Sequence, residues 1–335
     1  MKLHSNVDFE RLGKRLQDTL LREKETWRPR VIMRPHDSET EICPQQRDNA
    51  VRWLMQLTDK WNYHPETFCL SVSILDRFLS LVKSHSKYLR CIAATCFYLA
   101  AKVQEEDEVV PGTLEYVVES HCGCTASELL RMERIILNKL QWDLRDVTPL
   151  DFLHIFHATL LSNKPHLLDN FSNLTPAHQL SALTAKLKLC LLHHQLMVYR
   201  PAILALSLLS LELEYYTQEW LPNTIMLQRM AMVDCHHIVH CREVISNCLS
   251  QFRYKNVVFM YSPEAMTKRA KRKVSESNDC EFFDGIKRLY NDDLVDGGGG
   301  GGEDHPGVKA GPLGSCANQA RREQGLPSLQ AVEAT

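Results

Sequence analysis

The chain reads Cys91-Ile92-Ala93-Ala94-Thr95-Cys96-Phe97-Tyr98-Leu99-Ala100-Ala101 over residues 91–101. Thr95 is the only polar residue in this stretch, so a helix over 87–102 would be apolar on almost every side. In a water-soluble protein such a helix has to be surrounded by other helices, because no face of it can remain in water. The stretch therefore predicts an all-α protein built around a central helix.

Four further helices are predicted around the central one. An apolar stripe at helical spacing begins at Pro44, and the next helix begins with Pro65 at its first position. A short helix follows Pro111. Thr125 and Glu128 have the spacing of a capping box at the start of the last helix. Together these elements predict a module of five helices.

The second half of the chain repeats this plan. Predicted helix starts near 176, 222 and 234 follow those at 65, 111 and 125 by 111, 111 and 109 residues. Repetition at one period is typical of a duplicated module. The predicted organisation is therefore all-α with two tandem five-helix folds. An N-terminal arm over 1–43 precedes the first fold over 44–145. The second fold covers 148–252, and a disordered tail that includes a basic run covers 260–335.

The composition argues against several classes of partner. The 335 residues are 24% charged with a net charge of -2, a balance that favours neither nucleic acid nor an anionic membrane. The apolar stretch over residues 203–211 is shorter than the roughly 20 residues of a membrane span. No signal peptide accompanies the 12 cysteines. They are therefore predicted to be free thiols in a reducing, intracellular compartment.

Catalytic and metal-binding motifs are absent or incomplete. The sequence has no Walker loop, no G-x-G-x-x-G after a strand, no G-x-S-x-G and no kinase signature, so we predict that it is not an enzyme. His121-Cys122-Gly123-Cys124 lacks a second ligand pair at zinc-ribbon spacing. A second cluster has no glutamate at the zincin position, and its members are Cys235, His236, His237, His240 and Cys241. We predict no metal and no cofactor.

Three charged residues conflict with their predicted surroundings. Glu133 lies between Leu129 and Leu137 on one helical ridge, where a carboxylate needs a partner. Asp76 lies beside the apolar stripe of its helix, and Arg47 lies in a first turn, where the helix dipole disfavours a cation. An Arg47–Asp76 ion pair would satisfy both residues. The alternative is that all three are unrelated surface charges, and spacing alone does not decide between the two.

Several motifs resemble the cyclin box. They occur in the family's order and at its spacing, over residues 44–145: Gln46-Arg47, Arg52-Trp53-Leu54, Pro65-Glu66-Thr67, Leu75-Asp76-Arg77-Phe78-Leu79-Ser80, Leu99-Ala100-Ala101-Lys102 and Leu130-Arg131-Met132-Glu133. Three further stretches resemble the cyclin I branch of the cyclin G/cyclin I group: Cys122-Gly123-Cys124, Thr148-Pro149-Leu150-Asp151-Phe152-Leu153-His154-Ile155-Phe156-His157 and Phe283-Asp284-Gly285-Ile286-Lys287-Arg288-Leu289-Tyr290-Asn291. The resemblance implies two tandem cyclin folds in a non-catalytic regulatory subunit.

The resemblance also implies roles for particular residues. Arg47 and Asp76 match the family's buried ion pair. Lys102 and Glu133 match the two residues that hydrogen-bond a kinase just before its αC helix, and Val103 stands where several cell-cycle cyclins have an aromatic anchor. The implied function is binding and activation of a cyclin-dependent kinase, with cyclin-dependent kinase 5 among the candidates, in the cell cycle or related signalling.

Two other functions remain open at the level of sequence. A kinase-independent scaffold could keep the same fold, as resemblance to cyclin G permits. A transcription module like general factor B would need a basic face and a zinc ribbon, and the predicted folded part shows neither clearly.

The segment Gln46-Arg47-Asp48-Asn49-Ala50 departs from the M-R-x-x-L motif with which many cyclins dock substrates. Of the residues that line that docking groove, it keeps only Trp53. Capture of R-x-L substrates is therefore not expected.

The tail carries a basic run that is predicted to act as a nuclear import signal. Its charged members are Lys268, Arg269, Lys271, Arg272 and Lys273. Phosphorylation of Ser275 would add nearly two negative charges beside the run. The alternative is a run that only aids solubility. We predict a distribution over nucleus and cytoplasm.

Overall fold

Every regular element that the structure describes is a helix. The computed structural model describes residues 2–28, 42–168 and 175–253, and these ranges contain eleven α-helices, two short 3-10 helices and no β-strand. The predicted all-α fold is confirmed. Within the same ranges, no helix combines the length and the apolar composition that a membrane span requires. The tail predicted over 260–335 lies outside the described residues.

Ten helices follow the first one in two sets of five. Helix α1 spans Lys2–Thr26. The first set consists of α2 (Pro44–Trp61), α3 (Pro65–Leu81), α4 (Leu89–Gln104), α5 (Thr113–Ser120) and α6 (Ala126–Lys139). The second set consists of α7 (Pro149–Asn163), α8 (Pro176–Leu191), α9 (Pro201–Tyr216), α10 (Trp220–Ala231) and α11 (Cys235–Arg253). All the described helices belong to one compact unit.

Helix α4 is the central helix of the first set. Every residue from 91 to 101 is buried, and the helix packs against α2, α3 and α6. Thr95 donates its hydroxyl to the carbonyl of Cys91 at 2.8 Å, so the polar group of this stretch is also satisfied. Helix α9 has the corresponding position in the second set. It is buried from 201 to 210 and packs against α7, α8, α10 and α11.

Reciprocal hydrogen bonds fix the starts of α6 and α7. The Glu128 N–H donates to Thr125 Oγ1 at 3.2 Å, and the Thr125 N–H donates to the Glu128 carboxylate at 2.7 Å. At α7 the Asp151 N–H donates to Thr148 Oγ1 at 3.4 Å, and the Thr148 N–H donates to the Asp151 carboxylate at 2.8 Å. These bonds satisfy donors that the first turn of a helix leaves open. The capped start predicted at Thr125 is observed, and α7 begins in the same way at Thr148.

The segment predicted as an N-terminal arm contains helix α1. The many charged residues of this segment hide the helix from a prediction based on sequence. Leu16 and Leu20 are buried and continue a stripe that begins at Leu12, and α1 packs against α7 and α10. The stripe is narrow, and the charged residues around it give the segment the composition of an exposed arm. An isolated helix of this kind is marginal in water, so contacts with the second set account for its stability.

Candidate functional site

Arg47 and Asp76 form a bidentate ion pair between α2 and α3. Arg47 Nε donates to Asp76 Oδ1 at 2.9 Å, and Arg47 Nη2 donates to Asp76 Oδ2 at 2.7 Å. The two side chains are 1% and 5% exposed. Two parallel N–H···O bonds are the strongest geometry available to a guanidinium and a carboxylate. The structure therefore brings these two residues together inside the core.

The remaining nitrogen of Arg47 connects α2 to the second set. Nη1 donates to the backbone carbonyl of Leu191 at 2.8 Å and lies 3.2 Å from Asp48 Oδ1. Burial alone would lower the pKa of Arg47, but the charge of Asp76 and then that of Asp48 outweigh it, and the pKa is raised. The guanidinium therefore stays charged while it joins α2 to α3 and to the end of α8.

Two more polar contacts connect the two sets. Asp48 Oδ1 accepts the backbone N–H of His194 at 2.9 Å, and Asp48 Oδ2 lies 2.7 Å from His194 Nδ1. Lys188 Nζ donates to Asp59 Oδ1 at 2.8 Å. The partners are 146 and 129 residues apart in the sequence. No local pattern could have predicted either contact.

Lys102 and Glu133 meet at an edge of the first set. Lys102 lies near the end of α4, Glu133 lies on α6, and the ammonium contacts the carboxylate directly. The ammonium also lies 4.8 Å from the centroid of the Tyr98 ring. The Lys102 and Glu133 side chains are 37% and 14% exposed. The two residues that the cyclin resemblance assigns to a kinase partner therefore lie at one edge, where the structure pairs them with each other.

Exposed apolar side chains flank this ion pair. Val103 follows Lys102 and is 48% exposed, and Leu130 lies one turn before Glu133 and is 50% exposed. Helix α5, which packs against α6, carries two more exposed apolar residues of the first set, Leu114 and Val118. A pair of opposite charges among exposed apolar groups is the mixed surface found at protein–protein interfaces.

Glu105 begins the acidic run after α4 and caps helix α3. Its Oε1 accepts the backbone N–H of His64 at 2.8 Å and also accepts the hydroxyl of Thr67. A carboxylate at the first turn satisfies open donors and interacts favourably with the helix dipole. The composition of the run is typical of a solvated loop, so this role was not predicted.

Glu23 of α1 is buried and holds the start of α9. Its Oε1 accepts the backbone N–H of Ala202 at 2.8 Å, and its Oε2 accepts Arg200 Nε at 3.0 Å. Burial raises the pKa of Glu23, although the bonds from Ala202 and Arg200 oppose the shift. The carboxylate meets the positive end of the α9 dipole. Glu23 is thus a principal polar link between α1 and the second set.

The clusters that resemble metal sites have no enclosing ligand shell in the described residues. Cys122 and Cys124 are buried with their Sγ atoms 3.1 Å apart, and the hydrogen bond between them together with burial raises the pKa of Cys122. Elsewhere in those ranges, one group of donors lies within 4.8 Å, from the consecutive exposed residues Asp234, Cys235 and His236.

Comparison with known proteins identifies the family. The family model described as "Cyclin, N-terminal domain" matches residues 16–145. Cyclin-G2 of Homo sapiens is 34% identical over 243 residues, which are 71% of this chain and 69% of that protein. This chain belongs to the cyclin family. The resemblance noted from the cyclin-box motifs is confirmed.

Two further comparisons describe similarity to this cyclin, one in sequence and one in fold. Cyclin-I2 of Homo sapiens is 36% identical over 243 residues, covering 72% of this chain and 64% of Cyclin-I2, a little less than two thirds of its length. The fold is similar to that of a solved viral cyclin from herpesvirus saimiri, with a TM-score of 0.56 and 21% identity over 70% of this chain and 96% of the viral one. The match to the N-terminal domain begins within α1, so it includes part of the segment predicted as an arm.

Proposed function

We propose that this cyclin binds and activates a cyclin-dependent protein kinase through the edge formed by Lys102, Val103, Leu130 and Glu133. The observation that carries the proposal is the paired Lys102 and Glu133 at an exposed edge flanked by apolar side chains. Membership of the cyclin family supports a regulatory role. Cyclin-dependent kinase 5 is the candidate that the resemblance to cyclin I suggests.

The two charged groups offer complementary hydrogen bonding. An ammonium supplies donors and a carboxylate supplies acceptors, so Lys102 and Glu133 together can bind backbone groups of both kinds. The kinase segment just before the αC helix has backbone N–H and C=O groups that no helical hydrogen bond satisfies. Binding there would exchange the internal pair for contacts with the kinase, and it requires no recognition of kinase side chains.

The regulatory effect follows from the requirements of kinase catalysis. An active kinase needs its αC glutamate paired with the β3 lysine. A cyclin that binds the inward position of αC more tightly than the outward position shifts that equilibrium, and a shift from 1:99 to 99:1 requires about 5.5 kcal/mol of differential binding. The cyclin itself contributes no reacting group in this mechanism.

The proposal is tested by mixing the full chain with purified cyclin-dependent kinases, including kinase 5. We expect one of them to form a stable complex and to phosphorylate a peptide at least tenfold faster than the free kinase does. Size-exclusion chromatography and a peptide phosphorylation assay measure the two properties. A stable complex without a rise in activity would contradict activation and support the scaffold function.

We also propose that the basic run directs part of the protein to the nucleus. Lys268, Arg269, Lys271, Arg272 and Lys273 lie outside the described residues, and the proposal rests on their sequence. Replacing all five with glutamine is expected to shift a fluorescently tagged chain toward the cytoplasm. Replacing Arg321 and Arg322 provides a control at another basic site in the tail. An unchanged nuclear fraction after the first substitution would leave the run with a solubilising role only.

A further inference from the structure

Helices α8, α9 and α11 enclose an open groove in the second set. Its volume is about 710 Å³, and its apolar lining includes Leu189 of α8, Leu208 and Leu211 of α9, and Leu249 of α11. Leu208 is buried, whereas the other three are partly exposed. Tyr215 at the edge is 80% exposed. The groove belongs to the second set of helices, whereas Lys102 and Glu133 belong to the first set.

The charged groups along the groove are already paired with one another. Lys186 contacts Glu212, and Arg242 contacts Glu214. Because the charged groups are paired, burial of the apolar lining is the main source of binding free energy that the groove offers. A suitable occupant is therefore a mainly apolar segment without acidic residues, because two glutamates and one lysine line the groove.

The chain itself supplies such a segment next to the groove. Helix α11 ends at Arg253, three residues after the groove residue Ser250. The next eight residues are Tyr254-Lys255-Asn256-Val257-Val258-Phe259-Met260-Tyr261. Six of the eight are apolar, and the single charge is a lysine. After residue 261 the sequence contains no apolar run longer than two residues.

We propose that residues 254–261 bind in the groove between α8, α9 and α11 of the same chain. Eight residues can span at most roughly 26–29 Å, which is enough to turn back from the end of α11 and follow adjacent helices. Direct attachment to α11 makes binding intramolecular, with an effective concentration of about millimolar or higher. Modest apolar contact is then sufficient to keep the groove filled.

Hydrogen exchange of the intact protein tests this proposal by mass spectrometry. We expect the amides of 254–261 to exchange at least tenfold more slowly than those of 262–335. The double substitution Val258→Asp with Phe259→Asp should abolish this protection, and peptides containing Leu211 and Leu249 should exchange faster in the same variant. Because both substitutions lie outside the described helices, they leave the rest of the core unchanged.

A matched control places the same change elsewhere in the tail. Leu289→Asp with Tyr290→Asp should leave the protection of 254–261 as it is in the wild type. The groove substitution Tyr215→Glu, at an exposed position, should weaken that protection from the opposite side. Wild-type exchange at 254–261 as fast as in 262–335 would overturn the proposal. Protection that disappears on dilution would also overturn it, because the segment would then come from a second copy.

Discussion

The variant Asp76→Ala is expected to melt roughly 10 °C below the wild type. The substitution leaves Arg47 buried with only Asp48 and the Leu191 carbonyl as partners. Removing one member of a buried pair typically costs about 3–5 kcal/mol, because the other charge is left without compensation. For a folded domain of about 150–250 residues, 1 kcal/mol corresponds to about 2–4 °C. Differential scanning calorimetry of the purified chain measures the effect.

Two further variants separate the loss of charge from other effects. Asp76→Asn keeps the volume of the side chain and removes only its charge, and we expect it to lose most of the same stability. Asp59→Ala removes a different aspartate, which is paired with Lys188 across the two sets. Unlike Asp76, Asp59 is 64% exposed. Exposed pairs contribute about 0–1 kcal/mol, so this control should melt close to the wild type. Equal melting temperatures for Asp76→Ala and Asp59→Ala would contradict the structural role of the Arg47–Asp76 pair.

The features that could be predicted from the sequence are those with a local pattern. Residues 91–101 are apolar on nearly every side of a helix, and that pattern has one physical solution, burial among other helices. The capping boxes at Thr125 and Thr148 are also local, because each requires two residues three positions apart. Arg47 and Asp76 could be suspected of pairing across 29 residues because each conflicts with local rules on its own helix, and the resemblance to the cyclin box supported the pair. An aspartate beside an apolar stripe and an arginine at a helix start are the local features that indicate a missing partner.

The features that escaped prediction depend on contacts between distant segments. Glu23 satisfies α9 across 179 residues, and nothing near Glu23 in the sequence marks it as a cap. Asp48 and His194 are equally remote from one another. The charged surroundings of Leu16 and Leu20 concealed α1, because the apolar surface that covers these leucines belongs to the second set. Glu133 shows a different limit, since its need for a partner is evident from its own helix, whereas its position beside Lys102 followed only from the resemblance to the cyclin motifs.

The double variant Lys102→Ala with Glu133→Ala is expected to fold normally and to lose kinase binding. Truncating a desolvated charged contact typically costs about 2–5 kcal/mol in binding, or roughly 30-fold to several thousand-fold in affinity. The internal Lys102–Glu133 pair is partly exposed, and such pairs contribute little to folding. Changing both residues together is essential. Lys102→Ala alone would leave Glu133, at 14% exposure, without its partner and would mix a folding effect with a binding effect.

A matched control for this variant is provided by the second set. Lys164 and Glu219 form an exposed ion pair of the same type, and their side chains are 33% and 67% exposed. Lys164→Ala with Glu219→Ala should keep both the melting temperature and the kinase affinity of the wild type. Calorimetry measures the melting temperature, and titration with the kinase identified in the mixing experiment measures the affinity. If the Lys102/Glu133 variant still activates the kinase fully, the proposed interface is wrong. If it unfolds while the control does not, Glu133 is an internal structural charge, and the kinase must contact another face of the first set.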